Sequence, residues 1–478
     1  MTTPPLPCYL AGVPTVTSRT LQVPDRFTGA PAFSVCIGTV NDFDTAISAA
    51  HTAVRPMMGL PMHARAAALQ RVSWMLEENA DRFARTIVIE AGKPIRDARS
   101  EVARAVETFA VAAAECGRTC GEFLRLDSSV RGGPFRAISQ RVPVGPVALI
   151  TPFNFPLNLV AHKVAPAIAA GCPWVLKPSD KAPVSALMLG ELLRECALPA
   201  GSWSILPSTV QDAGALVADE RLKLLSFTGS AEVGWDLKSR CGKKKIVLEL
   251  GGNAAAVVCR DSDPSYAVQR LMIGIYSNSG QSCISVQRVL VHRELYETVR
   301  DGLVAASRVL PCGDPRLDAT IVGPLIDESA AQRLENWIRS AASAGARVLC
   351  GGNRRGSMLE PTLLEHVPDA CDLSSLEAFG PVAVLEPFDD FDAALDRVNT
   401  GRFGLQCGIF TRDLGQSLKA WDRTHVGAVV INEVPTFRTE AMPYGGIKES
   451  GLGREGIRAS IDEYTEPRLL VINQDGLI

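Results

Sequence analysis

In "NSGQSCISVQR", Asn278 to Arg288, a cysteine stands among small polar residues shortly after a glycine. The chain has thirteen cysteines, so the setting of each matters more than its presence. A thiolate needs polar, accessible surroundings to ionise, and backbone N–H groups near a helix start help to hold an oxyanion. Gly280, Gln281 and Ser282 offer flexible polar backbone, whereas Cys259 ends an apolar run. Cys283 is therefore a candidate nucleophile, although a lone cysteine after Gly-Gln-Ser also fits a structural role. Three other stretches carry residues suited to chemistry. "TPFNFP" presents the amide of Asn154, "LELGG" the carboxylate of Glu249, and "FTGS" the small residues Gly229 and Ser230 before a helix. A helix opening with small residues can receive an anion. Singly, Asn154 also fits a turn or cap and Glu249 an ordinary paired carboxylate. "TGSAEVG" is neither a GxGxxG fingerprint nor a P-loop.

The surrounding elements place all four stretches at strand ends or helix starts. Short apolar runs ("VALI", "WVLKPSD", "WSILPS", "KKIVLEL") alternate with amphipathic segments between 145 and 250. That alternation predicts a parallel sheet wound with helical crossovers, and such sheets bind ligands beyond the carboxyl ends of their strands. It resumes after "LELGG" through "NAAAVVC", "QRVLVHRELYETVRDGLVAA", "PVAVLEPF" and "AVVINEV", which predicts a second α/β unit. The first 120 residues read as helical, with Phe43, Ala46, Ile47 and Ala50 at helical spacing. Ala137 to Val144 reads as an extended, partly polar strand, in either a surface hairpin or a projecting arm.

Composition bounds the function. At 478 residues the chain exceeds one compact core. A net charge of −3 with no basic stripe argues against nucleic acid or a membrane surface as partner. The N-terminus lacks the layout of a secretory signal and no apolar run is long enough to span a bilayer, so a cytoplasmic protein is expected. Scattered cysteines argue against a disulfide framework. Cys116 and Cys120 lie one helical turn apart without further ligands, so no metal site is expected.

Six ordered segments change the weight of these residues: "TPFNFPLNLVAHKVAPAIAAGCPWVLKPSD", "FTGSAEVG", "LELGGNAAAVV", "NSGQSCISVQRVLV", "EAFGPVAVL" and "MPYGGIKESGLGREG". Together they resemble the aldehyde dehydrogenase superfamily over nearly the full length. The resemblance implies an α/β fold with a Rossmann-like NAD-binding domain (1–122 and 144–250) and a catalytic domain (251–448). It also implies a small β oligomerisation arm with a C-terminal tail (123–143 and 449–478), and a homodimer or homotetramer.

It further implies roles. Cys283 matches the nucleophile that attacks the aldehyde carbon. Asn154, with the Cys283 N–H, matches the oxyanion donor. Glu249 matches the base that activates water against the thioester, which favours an acid-forming enzyme over a CoA-acylating one. Lys163 and Glu455 match a supporting pair. For the cofactor, Lys177, Ser179 and Asp180 match the adenosine-ribose segment, and Phe227, Gly229 and Ser230 the pyrophosphate turn. Gly251, Glu377 and Phe379 match nicotinamide contacts, and Thr151, Pro152 and Phe153 line the cofactor side of the Asn154 loop. A carboxylate at Asp180 tilts the reading toward NAD, with NADP as the alternative. Leu376, Phe153 and Ser208 depart from common family residues without removing a catalytic group.

The substrate positions are Phe155, Ser282, Ile284, Phe437, Arg438 and Tyr444. Arg438 suits an anionic tail, or else is a surface arginine. Relatives acting on phosphorylated glyceraldehyde often carry arginine where Ser282 stands. The expectation is a short hydroxylated or anionic aldehyde of the lactaldehyde, sulfo-, phospho- or phosphono-aldehyde type. A broad-range aliphatic or semialdehyde dehydrogenase is the alternative. Two other classes are a cofactor-independent thiol hydrolase, which would need a partner histidine that none of the six supplies in a recognisable motif, and an idle NAD-binding relative.

Overall fold

Two twisted sheets carry the molecule, which a computed structural model describes for residues 4–118 and 121–477. Cys120 lies outside the described residues, while Cys116 is buried in helix packing. In the first sheet five parallel strands run in the order Trp203–Ile205, Trp174–Lys177, Val147–Ile150, Leu224–Thr228 and Lys245–Glu249. The chain moves outward in one direction from Val147–Ile150 and then restarts beside it at Leu224–Thr228. That reversal opens a crevice at the carboxyl ends of these two strands. Their continuations are the Asn154 loop and the Gly229–Ser230 turn.

The second sheet has seven strands, and its interior strand Ala254–Val258 lies between Val286–His292, the central strand, and Gln406–Phe410. These pairings are parallel, as short strands buried on both faces require. The strand Ala254–Val258 is wholly buried.

Local sequence explains the helix that joins the Asn154 loop to the core. Asn158–Ala170 is buried along its whole length and ends at Gly171, whose φ of 85° suits a residue without a side chain. Its apolar residues seat it among the other helices of the first domain, at roughly 1.5–3 kcal/mol for each fully buried aliphatic side chain. This packing carries His162 and Lys163 inward, and buried polar groups of that kind must find partners.

Two segments differ from the sequence expectation. Residues 8–36 are not helical: they hold the strands Cys8–Leu10, Val13–Thr15, Thr20–Pro24 and Pro31–Cys36. Three to six residues with interspersed prolines leave too little alternation to reveal a strand. Near the C-terminus, Gly451–Leu452 joins the first sheet beside Lys245–Glu249, and Ile457–Glu463 packs on Asn158–Ala170. Only Thr465–Asn473 enters the arm, pairing with Phe135–Pro143, which pairs in turn with Phe123–Arg125. Phe123, Ile138, Leu469, Leu470 and Val471 stay exposed on that three-stranded sheet.

Candidate active site

The two α/β units meet at a cleft of about 520 Å³, a size that suits a small ligand. Cys283, Asn154, Glu249 and Glu455 all line it, although they lie up to 301 residues apart, from Asn154 to Glu455. Cys283 sits in the turn between the 3-10 segment Ser277–Gly280 and the strand Val286–His292. That backbone is not flexible. Asn278, Ser279 and Gly280 have φ of 52°, 55° and 70°, a left-handed run that only a determined fold sustains. A Cβ at Gly280 would stand 2.1 Å from the Gly380 carbonyl oxygen, so glycine is required by both space and φ.

Hydrogen bonds join this turn to the Asn154 loop. Asn154 Nδ2 donates to the Gln281 carbonyl at 3.0 Å, and Asn278 Nδ2 donates to the carbonyls of Asn154 and Gln281, each at 3.1 Å. One hydrogen of the Asn154 amide is thus committed to Gln281, and the second has no acceptor among the described residues and suits a ligand. Asp97 accepts the Asn278 N–H at 2.7 Å. Beneath the loop, Glu101 accepts the N–H groups of Leu157 and Asn158 and pairs with buried Lys93, whose Nζ lies 3.7 Å from the Phe155 ring centroid.

"LELGG" is shaped by the same contacts. A Cβ at Gly251 would stand 2.5 Å from Glu377 Oε2, and one at Gly252 would stand 2.2 Å from the Cys283 carbonyl oxygen. Glu377 accepts the Gly252 N–H at 2.9 Å, and burial pushes its carboxyl up to about 7. Phe379 meets Phe153 edge to face at 5.9 Å between ring centroids.

Glu249 is buried, and neither carboxyl oxygen has a hydrogen-bond partner among the described residues. Desolvation first, and the nearby Glu455 second, hold its pKa well above the ordinary carboxylate range. Glu455 has the opposite state. Burial raises it, but Lys163 and Arg438 outweigh burial and bring it down to about 2. Lys163 Nζ donates to Glu455 at 2.8 Å and to Ser226 at 2.9 Å. Cys283 is half-buried, its Sγ lies 3.0 Å from the Tyr444 hydroxyl, and desolvation pushes its thiol up to about 12.

Among the cofactor positions, Pro152, Phe153, Gly229, Ser230, Gly251, Glu377 and Phe379 line the cleft. Ser230 precedes the helix Ala231–Arg240 without capping it by its side chain, so the helix N–H groups and the Ser230 hydroxyl remain available to an anion. Phe227 packs under this turn, where a Cβ at Gly229 would lie 2.4 Å from its ring. Thr151, Lys177, Ser179 and Asp180 lie outside the cleft lining at the carboxyl ends of the neighbouring strands. Asp180 is exposed there, and burial lowers the Lys177 pKa. These residues fit an adenine dinucleotide: small residues at a helix start for the pyrophosphate, and Gly251 with Glu377 beside Cys283. Among the described residues no cluster of three or more side chains suits a metal ion.

The decisive comparison spans nearly the whole chain. The sequence model described as the Aldehyde dehydrogenase family matches residues 14–470. The chain belongs to the aldehyde dehydrogenase family. Aldehyde dehydrogenase 21 of Physcomitrella patens, solved with the reaction product succinate, is 44% identical. Its structure matches this dehydrogenase with a TM-score of 0.98, covering 100% of both chains. The 3-sulfolactaldehyde dehydrogenase of Priestia megaterium is 36% identical over 97% of each chain. The glyceraldehyde-3-phosphate dehydrogenase of Methanocaldococcus jannaschii, solved with NADP, is 34% identical with a TM-score of 0.92, covering 96% of this chain and 100% of that one. This dehydrogenase thus shares its fold with a relative solved with NADP. Its described helices include none long and apolar enough to cross a membrane.

All six substrate positions line the cleft. Phe437 is half-exposed at its mouth, and Ile284 and Tyr444 are buried. Arg438 is no surface residue. Its side chain is 6% exposed, it lies 3.5 Å from Glu455 Oε2, and its guanidinium sits 3.8 Å from the Tyr444 ring centroid. Sequence reasoning missed its neighbours. Glu440 pairs with His162 and with Arg104, whose Nε donates to Glu440 Oε1 at 2.6 Å. Arg104 also lines the cleft, as does Arg270, which is bound to Glu433 through two nitrogens. A signal for Arg104 existed. Glu101, Arg104 and Thr108 share one face of the helix Ile95–Glu115, and Glu101 and Thr108 are buried.

Proposed function

We propose that this dehydrogenase oxidises a short aldehyde with an anionic group at its far end to the corresponding acid, with a carboxylate tail as in succinate semialdehyde the first choice and a sulfonate the second. The carrying observation is the pair Arg104 and Arg438 lining the cleft with Cys283 and Glu249. Lys163, Arg104 and Arg438 supply three cations, while Glu440 and Glu455 supply two ionised carboxylates. Burial and Arg438 lower the His162 pKa, so that ring is neutral. These pairs leave one cation in excess while Glu249 is protonated, Arg454 adds another beside Glu249, and an anionic substrate offsets this positive charge. Arg104 makes no hydrogen bond through its two terminal nitrogens among the described residues. The succinate reported for the Physcomitrella relative and the sulfolactaldehyde named for the Priestia one support anions of this size.

The chemistry follows from the placement of residues. The Cys283 thiolate attacks the aldehyde carbon, and the developing oxyanion takes hydrogen bonds from the Cys283 N–H and the free hydrogen of Asn154 Nδ2. Such donors contribute about 3–4 kcal/mol each in comparable sites. A bound nicotinamide supplies the hydride acceptor. Glu249, deprotonated, takes a proton from the water that attacks the resulting thioester. Lys163 and Glu455 fix the field behind Glu249. Pro152, Phe153, Glu377 and Phe379 hold the cofactor, with Asp180 favouring NAD, and the exposed apolar strands of the arm join copies into a dimer or tetramer.

Arg104→Met tests the anion reading. It is expected to lower kcat/KM for succinate semialdehyde about 10–100-fold, the range for a lost charged hydrogen bond, and to leave butanal nearly unchanged. Equal losses for both aldehydes would reject an anion site. Gly251→Ala drives a methyl group into the Glu377 carboxylate and is expected to raise the cofactor KM at least severalfold. Unchanged cofactor saturation would place Glu377 away from the nicotinamide.

A further inference from the structure

Tyr444 enters the sequence reading as a pocket wall, yet its hydroxyl lies 3.0 Å from Cys283 Sγ. This is the sulfur's one hydrogen-bonding side-chain partner among the described residues, and its apolar neighbours are Ile284 and Leu405. The tyrosine is held firmly in place. It is 4% exposed, its N–H donates to the Glu455 carbonyl at 2.9 Å, and the Glu455 N–H returns a bond to its own carbonyl at 2.6 Å. On the ring face lies the Arg438 guanidinium. A cation over a phenol ring draws electron density from it and makes its O–H a stronger donor. A thiolate, having no proton, can only accept.

We infer that the Tyr444 hydroxyl is a catalytic hydrogen-bond donor to Cys283, holding the thiolate before attack and receiving it again as the leaving group. The inference rests on the reading of Cys283 as nucleophile. Before attack the thiol proton passes to the Glu249 carboxylate and from there to solvent, while Tyr444 keeps its own. In attack the S–C bond forms and the carbonyl π pair moves to oxygen, where Asn154 meets it. Once the carbon has given up its hydride to the nicotinamide and the oxyanion pair has re-formed the carbonyl, water adds to the thioester and gives a proton to Glu249. The C–S bond then breaks with its pair returning to sulfur, which again accepts from Tyr444. The charged groups facing the sulfur are the Glu249 and Glu377 carboxylates, which oppose ionisation, and Arg438, which favours it. Tyr444 is the group that touches it.

The test is the pH dependence of iodoacetamide alkylation of the full-length enzyme, with Cys283→Ser subtracting the exposed Cys312 and other thiols. Tyr444→Phe keeps the ring under Arg438 and both backbone bonds, and removes only the donor. Its alkylation midpoint is expected to rise by about one pH unit or more. Its kcat at pH 7 should fall about tenfold with little change in KM, and recover as pH rises. Superimposable profiles, or a lower midpoint, overturn the inference. Should the Phe variant fail to bind cofactor, replacing Tyr444 by difluorotyrosine preserves shape and strengthens the donor. The midpoint is then expected to fall, and an unmoved midpoint overturns the donor role. Activity that survives alkylation, or that persists in Cys283→Ser, would instead overturn Cys283 as nucleophile, an outcome distinct from the failure of Tyr444.

Discussion

Cys283→Ser is expected to lower NAD(P)H formation by at least about a thousandfold while leaving the fold and cofactor binding intact. The serine hydroxyl is nearly isosteric, so the packing of Ile284, Leu405 and Tyr444 around it is retained. What is lost is the capacity to ionise. An alcohol has a far higher pKa than a thiol, and Glu249, the nearby carboxylate, is too weak a base to generate an alkoxide. Cofactor titration by fluorescence and single-turnover absorbance at 340 nm would separate binding from chemistry. Residual turnover near the wild-type rate would move the nucleophile to another residue, and among the described residues no other cysteine lines the cleft.

Glu249→Gln is expected to release one equivalent of NAD(P)H per active site in a burst and then turn over at about 1% of the wild-type rate or less, the scale of a lost general base. Acylation and hydride loss need the sulfur and the oxyanion donors, while hydrolysis needs a base. A carboxylate buried without partners is a strong proton acceptor, because desolvation disfavours its charged form. The sign with pH follows. Glu249 works when deprotonated and its pKa is raised, so wild-type kcat should climb as pH rises through that raised value. The Gln variant should lose that limb. Rapid-quench detection of an acyl-enzyme, together with the pH profile of kcat, would check both points. Steady turnover without a burst would assign deacylation to another base.

The candidate site was legible because six ordered segments together resembled one family; singly, Cys283, Asn154 and Glu249 each also fitted a structural role. A cysteine after Gly-Gln-Ser, a glutamate before two glycines and an amide in a proline-bounded loop are local facts. The alternation of apolar runs and amphipathic helices likewise announced two parallel sheets, since a strand buried on both faces must be apolar throughout. The four N-terminal strands were hidden because strands of three to six residues show little periodicity. The Cys283 turn was read as flexible because its left-handed backbone depends on contacts with Gly380 and Gly323, not on its own composition.

By itself, then, the sequence determined which residue types stand at the strand ends, and with them the class of reaction. The tertiary structure alone decided their protonation and their company. Lys163 meets Glu455 across 292 residues and Arg104 meets Glu440 across 336, pairings set by how the C-terminal segment packs against the first helices. Arg438 became a buried partner of Tyr444 and Glu455 only when that segment closed over the cleft. The physical reason is that burial and charge act through space. A carboxylate's pKa depends on the water excluded from it and the cations within a few ångströms, and no local stretch of chain specifies either.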